Sequence, residues 1–448
     1  MALQQVLIKI KIPNASIITM LNDSLSSSQK TVVEQFLSGN NLFVSGGAGS
    51  GKSYLLNFLK KNYSHLGLEI TASTGIAAIN IGATTIHSWS GIGLANQPLE
   101  YILENLNSFK FLQIKKRIRY ANCLAIDEIS MISADVLDLL NAVLQHIRNN
   151  TKPMGGLQVL FFGDFLQLPP VDNNFKNDQD LKYCFHSQTW QQLNLQSIIL
   201  DQVFRQSDLD FIKILNKIRF GNIDCEVKQV LGDRLLANDP SPSVMPTILT
   251  SHNHKVESIN KNFLHQLSGQ QQIFTAKYSG NENKITFLKK NCLAYDNLIL
   301  KTGAQVMMIK NSLQKEGIIN GSIGIVKDFS NKKNYPIVEF SNGKTFTIQP
   351  DCWNIEKYNI TKKIIEIEAS LIQVPLVLAW AITIHKSQGL TLDKIRCDLS
   401  QIFTPGQAYV ALSRARFLDG VFIDSIDFNK INANQQAIDF YQNVQQYV

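Results

Sequence analysis

The chain has 448 residues, 44% of them hydrophobic, which is enough apolar material for two or three packed domains. Its longest apolar run, residues 371–384, contains Gln373 and Pro375 and falls short of the ~18 uninterrupted residues of a membrane span, so no membrane partner is expected. A net charge of +7 leans toward an anionic partner, and six widely spaced cysteines suggest neither a zinc site nor a disulfide framework, which points to a reducing compartment. In chain order, residues 1–24 lack a secretory cleavage pattern and read as an ordinary N-terminal segment. From about 41 to 200, the β-type runs "NLFVSG", "LEITAS", "CLAIDE", "LQVLFFGD" and "SIILDQ" alternate with helical stretches, the pattern of a parallel sheet with crossover helices. Val136, Leu137, Leu140, Val143, Leu144 and Ile147 form one stripe of a helix that Ser133 can cap. The stretch 89–111 is an excursion from this α/β domain. A second alternation starts near "PTILTSHNHK" and resumes after 371, with short strands and an Asn342-Gly343 hairpin signal between about 310 and 370.

Residues 46–53, "GGAGSGKS", match G-x-x-x-x-G-K-[ST] between an apolar strand and a helix, the context in which such a loop cradles phosphate. Gly46, Gly47, Ala48, Gly49, Ser50 and Gly51 supply backbone N–H groups, Lys52 a cation at the β and γ positions, and Ser53 a magnesium ligand. Asp127 and Glu128 close the strand-like "CLAID". The first suits magnesium and the second suits the attacking water. Gln167, in "GDFLQLPPV", can hydrogen-bond the γ-phosphate or that water. Arg205, in "VFRQ", and Arg414, in "YVALSRAR", are the candidates for positive charge at the transition state. Their separation in sequence predicts a nucleotide held between two domains. The stretch 383–389, "TIHKSQG", reads as a short helix whose free N–H groups, with His385, Lys386 and Ser387, suit a phosphate.

The order GGAGSGKS, IDEIS, GDFLQLPPV, VFRQ, TIHKSQG and YVALSRA resembles the motif series of superfamily 1B helicases, over about residues 25–425. More specifically, "TASTGIAAINIGATTIHSWSGIG" (71–93) and "DVLDLLNAVLQHIRNNTKPMGGLQ" (135–158) are similar to signatures of the petite integration frequency (Pif) family. Ala83 and Met154 depart from the usual residues, away from the chemistry. The resemblance implies an α/β fold of two RecA-like P-loop domains with parallel sheets. The first, 25–200, would bind ATP and carry a small wedge insertion at about 89–111. The second, 201–448, would carry a small SH3-like β-barrel insertion at about 310–370. It also implies adenine recognition by Gln29, arginine-finger roles for Arg205 and Arg414, and Gln388 and Gly389 on the nucleotide side of the 383–389 stretch. DNA-backbone contacts would come from Thr74, Gly75, His87 and Ser88 in one domain and Thr383, His385, Lys386 and Ser387 in the other.

The implied activity is an ATP- and Mg²⁺-dependent helicase that moves 5′ to 3′ on single-stranded DNA. It would open duplexes, forks, DNA–RNA hybrids or G-quadruplexes, as a monomer able to dimerise on DNA. The compartment would be cytoplasmic for a prokaryotic or viral source, and nuclear or mitochondrial for a eukaryotic one. The alternative is a DNA-stimulated ATPase that remodels complexes without separating strands. A single-strand binder using ATP only as a ligand fits the Asp127–Glu128 pair poorly. A small-molecule kinase has no use for the basic tip at 383–389.

Overall fold

A computed structural model describes residues 24–93, 95, 97–106, 111–170, 182–235, 237, 244–359 and 364–445; the N-terminal segment read at 1–24 lies almost wholly outside them. All five apolar runs read as strands join one six-stranded sheet with the short strand Thr84–Thr85, in the order Thr84–Thr85, Leu68–Ala72, Cys123–Asp127, Gln158–Gly163, Leu42–Ser45 and Gln196–Ile199. Every pairing in it is parallel. Its central strands are buried on both faces, as continuous rather than alternating apolar runs require. Leu42 and Val44 pack with Val32, Phe36, Leu55 and Leu59 of the helices Ser27–Leu37 and Lys52–Tyr63. Phe43 points the other way, into a cluster with Phe161 and with Leu137, Leu140 and Leu144 of the helix Ala134–Arg148. That helix begins as its spacing predicts, with Ser133 Oγ accepting from the Val136 N–H. Because the strands run parallel, Gly46, Glu128 and Asp164 all emerge at the same edge of the sheet, where ligands of open α/β sheets bind.

A second parallel sheet orders Ala381–Thr383, Thr247–Thr250, Ile395–Asp398 and Val421–Ser425. Between its first two strands in sequence lies β structure that is wider than the expected 310–370. It opens with Gln271–Thr275 and closes with Leu376–Leu378, in sheets whose pairings are all antiparallel. The early strands escape a sequence reading because Gln271–Thr275 and Lys277–Gly280 have little buried surface. The excursion at 89–111 holds the helix Leu99–Leu106, whose Ile102 is buried in the first domain's core; residues 94, 96 and 107–110 lie outside the described set.

The last helix, Gln435–Gln445, departs from the expected assignment of 201–448 to the second domain. Ala437 and Tyr441 are buried in the first sheet's core, with Phe440 packed against it. Apolar burial carries the helix there: Phe440 stacks on Phe185 with ring centroids 4.5 Å apart. Among the described residues, no helix is long and apolar enough to cross a membrane.

Candidate nucleotide site and nucleic-acid interface

The Gly46 loop, Glu128 and Gln167 from the first sheet and Gln388, Gly389 and Arg414 from the second line one open cleft. Arg205 lies between them. Its backbone abuts the phosphate loop, where a Cβ on Gly49 would fall 2.6 Å from Arg205 Cβ. Its guanidinium reaches into the second domain, donating to Thr391 Oγ1 (3.0 Å) and to the Ser413 and Gly389 carbonyls (3.2 Å each). Arg414 is fully buried and donates to the carbonyls of Val410 (2.8 Å) and Ser387 (3.4 Å) and to Ser413 Oγ (2.8 Å). Burial pushes the Arg205 guanidinium down to about 10. Burial, and then the Arg205 charge, push Arg414 well below its ordinary value. Guanidinium stays ionised at neutral pH, so both groups are cations held in a site that an anion would relieve.

The phosphate loop is shaped by φ rather than by side chains. Gly49 and Gly51 are left-handed (φ 81° and 85°), and Gly51 leads directly into the helix Lys52–Tyr63. Lys52 Nζ donates to the Gly46 (2.6 Å) and Gly47 (3.1 Å) carbonyls, and burial lowers its pKa against the pull of Asp164 and Glu128. Burial raises the Asp127 carboxyl to about 7, the Glu128 charge adding to the rise, and burial raises Glu128 too. Glu128 sits at φ 53°, a strained conformation for a non-glycine residue that costs on the order of 1 kcal/mol. The Asp127 side chain turns back to accept the Glu128 N–H (2.9 Å) and does not itself line the cleft.

Buried polar atoms without partners test whether a magnesium nucleotide fits. Gln29 Nε2, Ser50 Oγ, Glu128 Oε2 and Gln388 Nε2 make no hydrogen bond among the described residues. Burying such groups unpaired costs on the order of 1–3 kcal/mol each, and all four lie on or beside the cleft, so the residues fit a polar ligand. Gln29 closes a capping box through Oε1, which accepts from the Ser26 N–H (3.1 Å), while Nε2 lies 2.6 Å from where a Gly51 Cβ would stand. The amide therefore presents a donor at the end of the loop, as recognition of a nucleobase acceptor requires. Magnesium needs only one or two protein oxygens besides phosphate and water: Ser53 lines the cleft and can supply one, and Asp127, set back from it, can act through a bridging water.

Sequence reasoning gave no role to five residues: Phe204, Tyr409, Asp164, Arg219 and Tyr441. Phe204, 55% exposed, lines the cleft beside Gly51. Tyr409, the first residue of the quoted "YVALSRAR", accepts the Ala48 N–H with its hydroxyl (2.8 Å). Asp164 is held on both carboxylate oxygens by Arg219 (2.8 and 3.0 Å), and it accepts from Gln167 Nε2 (3.0 Å) and the Tyr441 hydroxyl (3.2 Å). Burial alone would raise the Asp164 carboxyl, but Arg219, Lys52 and Gln167 outweigh it and hold it below the ordinary value. Asp164 next to a motif was visible in the sequence; its partners, 55 and 277 residues away, were not.

The expected DNA contacts divide. His385 and Lys386 reach the surface, and His87 and Ser88 sit on the short helix Ile86–Ser90. Burial lowers both histidines, so they are neutral at pH 7. Three expectations are corrected. The 383–389 stretch is a run of turns: the Ile384 N–H extends the strand onto the Thr250 carbonyl (3.0 Å), and left-handed Gly389 ends the single turn begun at Thr383. Thr383 and Ser387 are buried, Ser387 Oγ donating to the Ile384 carbonyl (2.7 Å), so they support the tip and do not face solvent. Thr74 caps the helix Gly75–Asn80, but Gly75 is half-buried against the Asn291 side chain, whose Oδ1 a Cβ there would meet at 1.8 Å.

A family model described as PIF1-like helicase matches residues 24–229, and one described as DNA helicase Pif1, 2B domain, matches 285–329. The ATP-dependent DNA helicase PIF1 of Xenopus laevis is 37% identical over 422 residues, covering 94% of this chain and 64% of that protein. The chain belongs to the PIF1-like helicase family. A crystal structure of Bacteroides sp Pif1 in complex with ADP-AlF4 is 32% identical and aligns with a TM-score of 0.82 over 94% of this chain and 97% of that one. The ssDNA-bound Bacteroides Pif1 aligns at 0.61 and 31% identity over the same shares. The chain thus spans about two thirds or less of the Xenopus protein's length but nearly all of the Bacteroides chains.

Proposed function

We propose that the chain is an ATP-dependent DNA helicase that moves 5′ to 3′ along single-stranded DNA and opens duplexes, DNA–RNA hybrids or G-quadruplexes. The observation that carries this reading is the single cleft lined by Lys52 and Glu128 from one sheet and by Gln388, Gly389 and Arg414 from the other. A nucleotide bound there touches both domains, and each state of its phosphates sets how tightly they close. The related Xenopus protein is named an ATP-dependent DNA helicase, and the related Bacteroides protein binds ADP-AlF4 and single-stranded DNA.

The proposed domains are 25–200 and 201–448, the last helix excepted. The helix at 99–106 would be the wedge, and the inserted antiparallel sheets an SH3-like module. The protein would act as a monomer able to dimerise on DNA, in whichever DNA-containing compartment its source provides. MgATP supplies the phosphoanhydride and its divalent charge. Gln29 would hold the base, the loop amides and Lys52 the phosphates, and Ser53 and Asp127 the metal. Glu128 would take the proton of the attacking water at Oε2, its unpaired oxygen. Gln167 commits one amide N–H to Asp164, which leaves its carbonyl to orient that water. Arg205 and Arg414 would offset charge developing on the transferred phosphoryl group. Phosphate grip by His87 and Ser88 on one domain and His385 and Lys386 on the other would alternate as the cleft closes and reopens.

Forked duplexes with either a 5′ or a 3′ single-stranded tail test the reading. Strand separation with ATP and Mg²⁺ is expected from the 5′ tail. Unwinding confined to 3′ tails would refute the polarity. DNA-stimulated ATP hydrolysis without unwinding of any fork would mark a translocase instead.

A further inference from the structure

The second parallel sheet carries an aromatic surface that the nucleotide cleft does not use. Phe403 is 64% exposed, and its ring lies nearly parallel to that of His252 (interplanar angle 12°, centroids 6.0 Å apart). His252 stacks in turn on His254 (26°, 5.5 Å). Both histidines are exposed, and neither ring has a hydrogen-bond partner among the described residues. His252 occupies the N-cap position of the helix Asn253–Gln266, yet its side chain makes no capping bond, so the ring is not committed to the fold. Single exposed aromatics are ordinary on protein surfaces. Three rings stacked in one row need a cause.

That cause is Gln407, which is fully buried. Its Oε1 accepts the Phe403 N–H (3.0 Å) and its Nε2 donates to Ser251 Oγ (3.3 Å). One side chain thus pins the loop that carries Phe403 to the loop that carries His252. The row is preorganised rather than a chance cluster of mobile rings. It also has a defined neighbour: Thr250, two residues before His252, pairs with Thr383, and its carbonyl accepts the Ile384 N–H. The rings therefore stand beside the tip that presents His385 and Lys386.

We infer that Phe403, His252 and His254 form a stacking platform for unpaired bases of single-stranded nucleic acid, beside the backbone grip of His385 and Lys386. The inference rests on the helicase reading and adds base contact to it. The open ring faces of such a stack accept any base, since every base has a π-face, and so give affinity without sequence preference.

Binding of a short fluorescent oligothymidylate tests it, measured by anisotropy across a salt series. Phe403→Ala with His252→Ala is expected to weaken binding about tenfold without changing the salt slope, because no phosphate contact is lost. Lys386→Ala should instead flatten that slope. Phe403→Trp should restore affinity, and ATP hydrolysis without DNA should be unchanged in all the Phe403 variants, which controls for folding. Replacing bases with abasic spacers should cost the wild type affinity and leave the double variant unaffected. Wild-type affinity in the double variant, or an equal abasic penalty in both proteins, overturns the platform while leaving the helicase reading intact. A wild-type chain that binds no oligonucleotide overturns the helicase reading, and the platform with it.

Discussion

Tyr441→Phe removes one oxygen and leaves the packing of the last helix in place. That oxygen has three partners: Ser45 Oγ (2.5 Å), the Phe165 N–H (3.2 Å) and Asp164 Oδ1 (3.2 Å). Burial raises the Tyr441 pKa, so the hydroxyl keeps its proton. Asp164 is ionised and can only accept, so Tyr441 donates to Asp164 and Ser45 must donate to Tyr441. Ser45 ends the strand that feeds the phosphate loop, and Phe165 lies two residues before Gln167. The phenol therefore joins two catalytic loops from outside both. Its loss leaves Ser45 Oγ and the Phe165 N–H buried without partners. At ~1–3 kcal/mol for each of the two unpaired groups, and with the ring's packing kept, the expected destabilisation is about 2–6 kcal/mol. Urea unfolding should show a lower midpoint at unchanged slope. A small shift of Gln167 should lower kcat about tenfold, or ~1.4 kcal/mol, and leave KM for ATP nearly unchanged. Wild-type values for both the unfolding midpoint and kcat would refute the strut.

Asp164→Asn leaves Arg219 buried without its counter-charge and should cost about 3–5 kcal/mol in unfolding free energy. In the wild type the folded-state pKa of Asp164 lies below the ordinary 3.8, so the pair stabilises fully above that value and less as pH falls through the folded one. Stability followed into acid should therefore drop in the wild type and respond less in Asp164→Asn. Lys52→Ala and Glu128→Gln should each lower ATP turnover at least a hundredfold, with ADP still bound by Glu128→Gln; normal turnover in both, measured by phosphate release, would refute the site. Gln29→Ala should raise KM for ATP about tenfold and erode discrimination against GTP, because one buried donor to the base is lost; competition between the two nucleotides reads this directly.

What could be read from sequence was local. The phosphate loop, the Asp127–Glu128 pair and the stripe of 134–148 each declare themselves within a dozen residues through spacing, turn chemistry and periodicity. Leu42–Ser45, Cys123–Asp127 and Gln158–Gly163 did so because both their faces are buried and their apolar runs are unbroken, while Leu68–Ala72 and Gln196–Ile199 are only partly buried. The misses share a physical cause. Exposed strands such as Gln271–Thr275 carry no buried face to mark them. The turn at 383–389 has one helical turn's worth of signal, but a helix that cannot propagate past Gly389 does not repay its nucleation. The last helix was assigned by chain order, whereas apolar surface decides: Tyr441 and Phe440 find their partners in a core built from residues 43–193.

The same logic gives Arg205 its place in the coupling. Its backbone is set by the phosphate loop, since the Phe204 N–H donates to the Gly49 carbonyl (2.8 Å). Its guanidinium is set by the second domain, through Thr391, Ser413 and Gly389. None of those partners is a carboxylate, so a phosphate oxygen in the cleft can draw the guanidinium away from neutral acceptors at little cost. Arg414, its cationic neighbour, lies deeper and is already bonded to Val410, Ser387 and Ser413. Both arginines rest on neutral acceptors, and Arg205 is the one whose backbone also lies against the phosphate loop. In the proposed cycle, release of a phosphate held near both would leave their like charges facing each other at the domain boundary, which would favour an opened cleft.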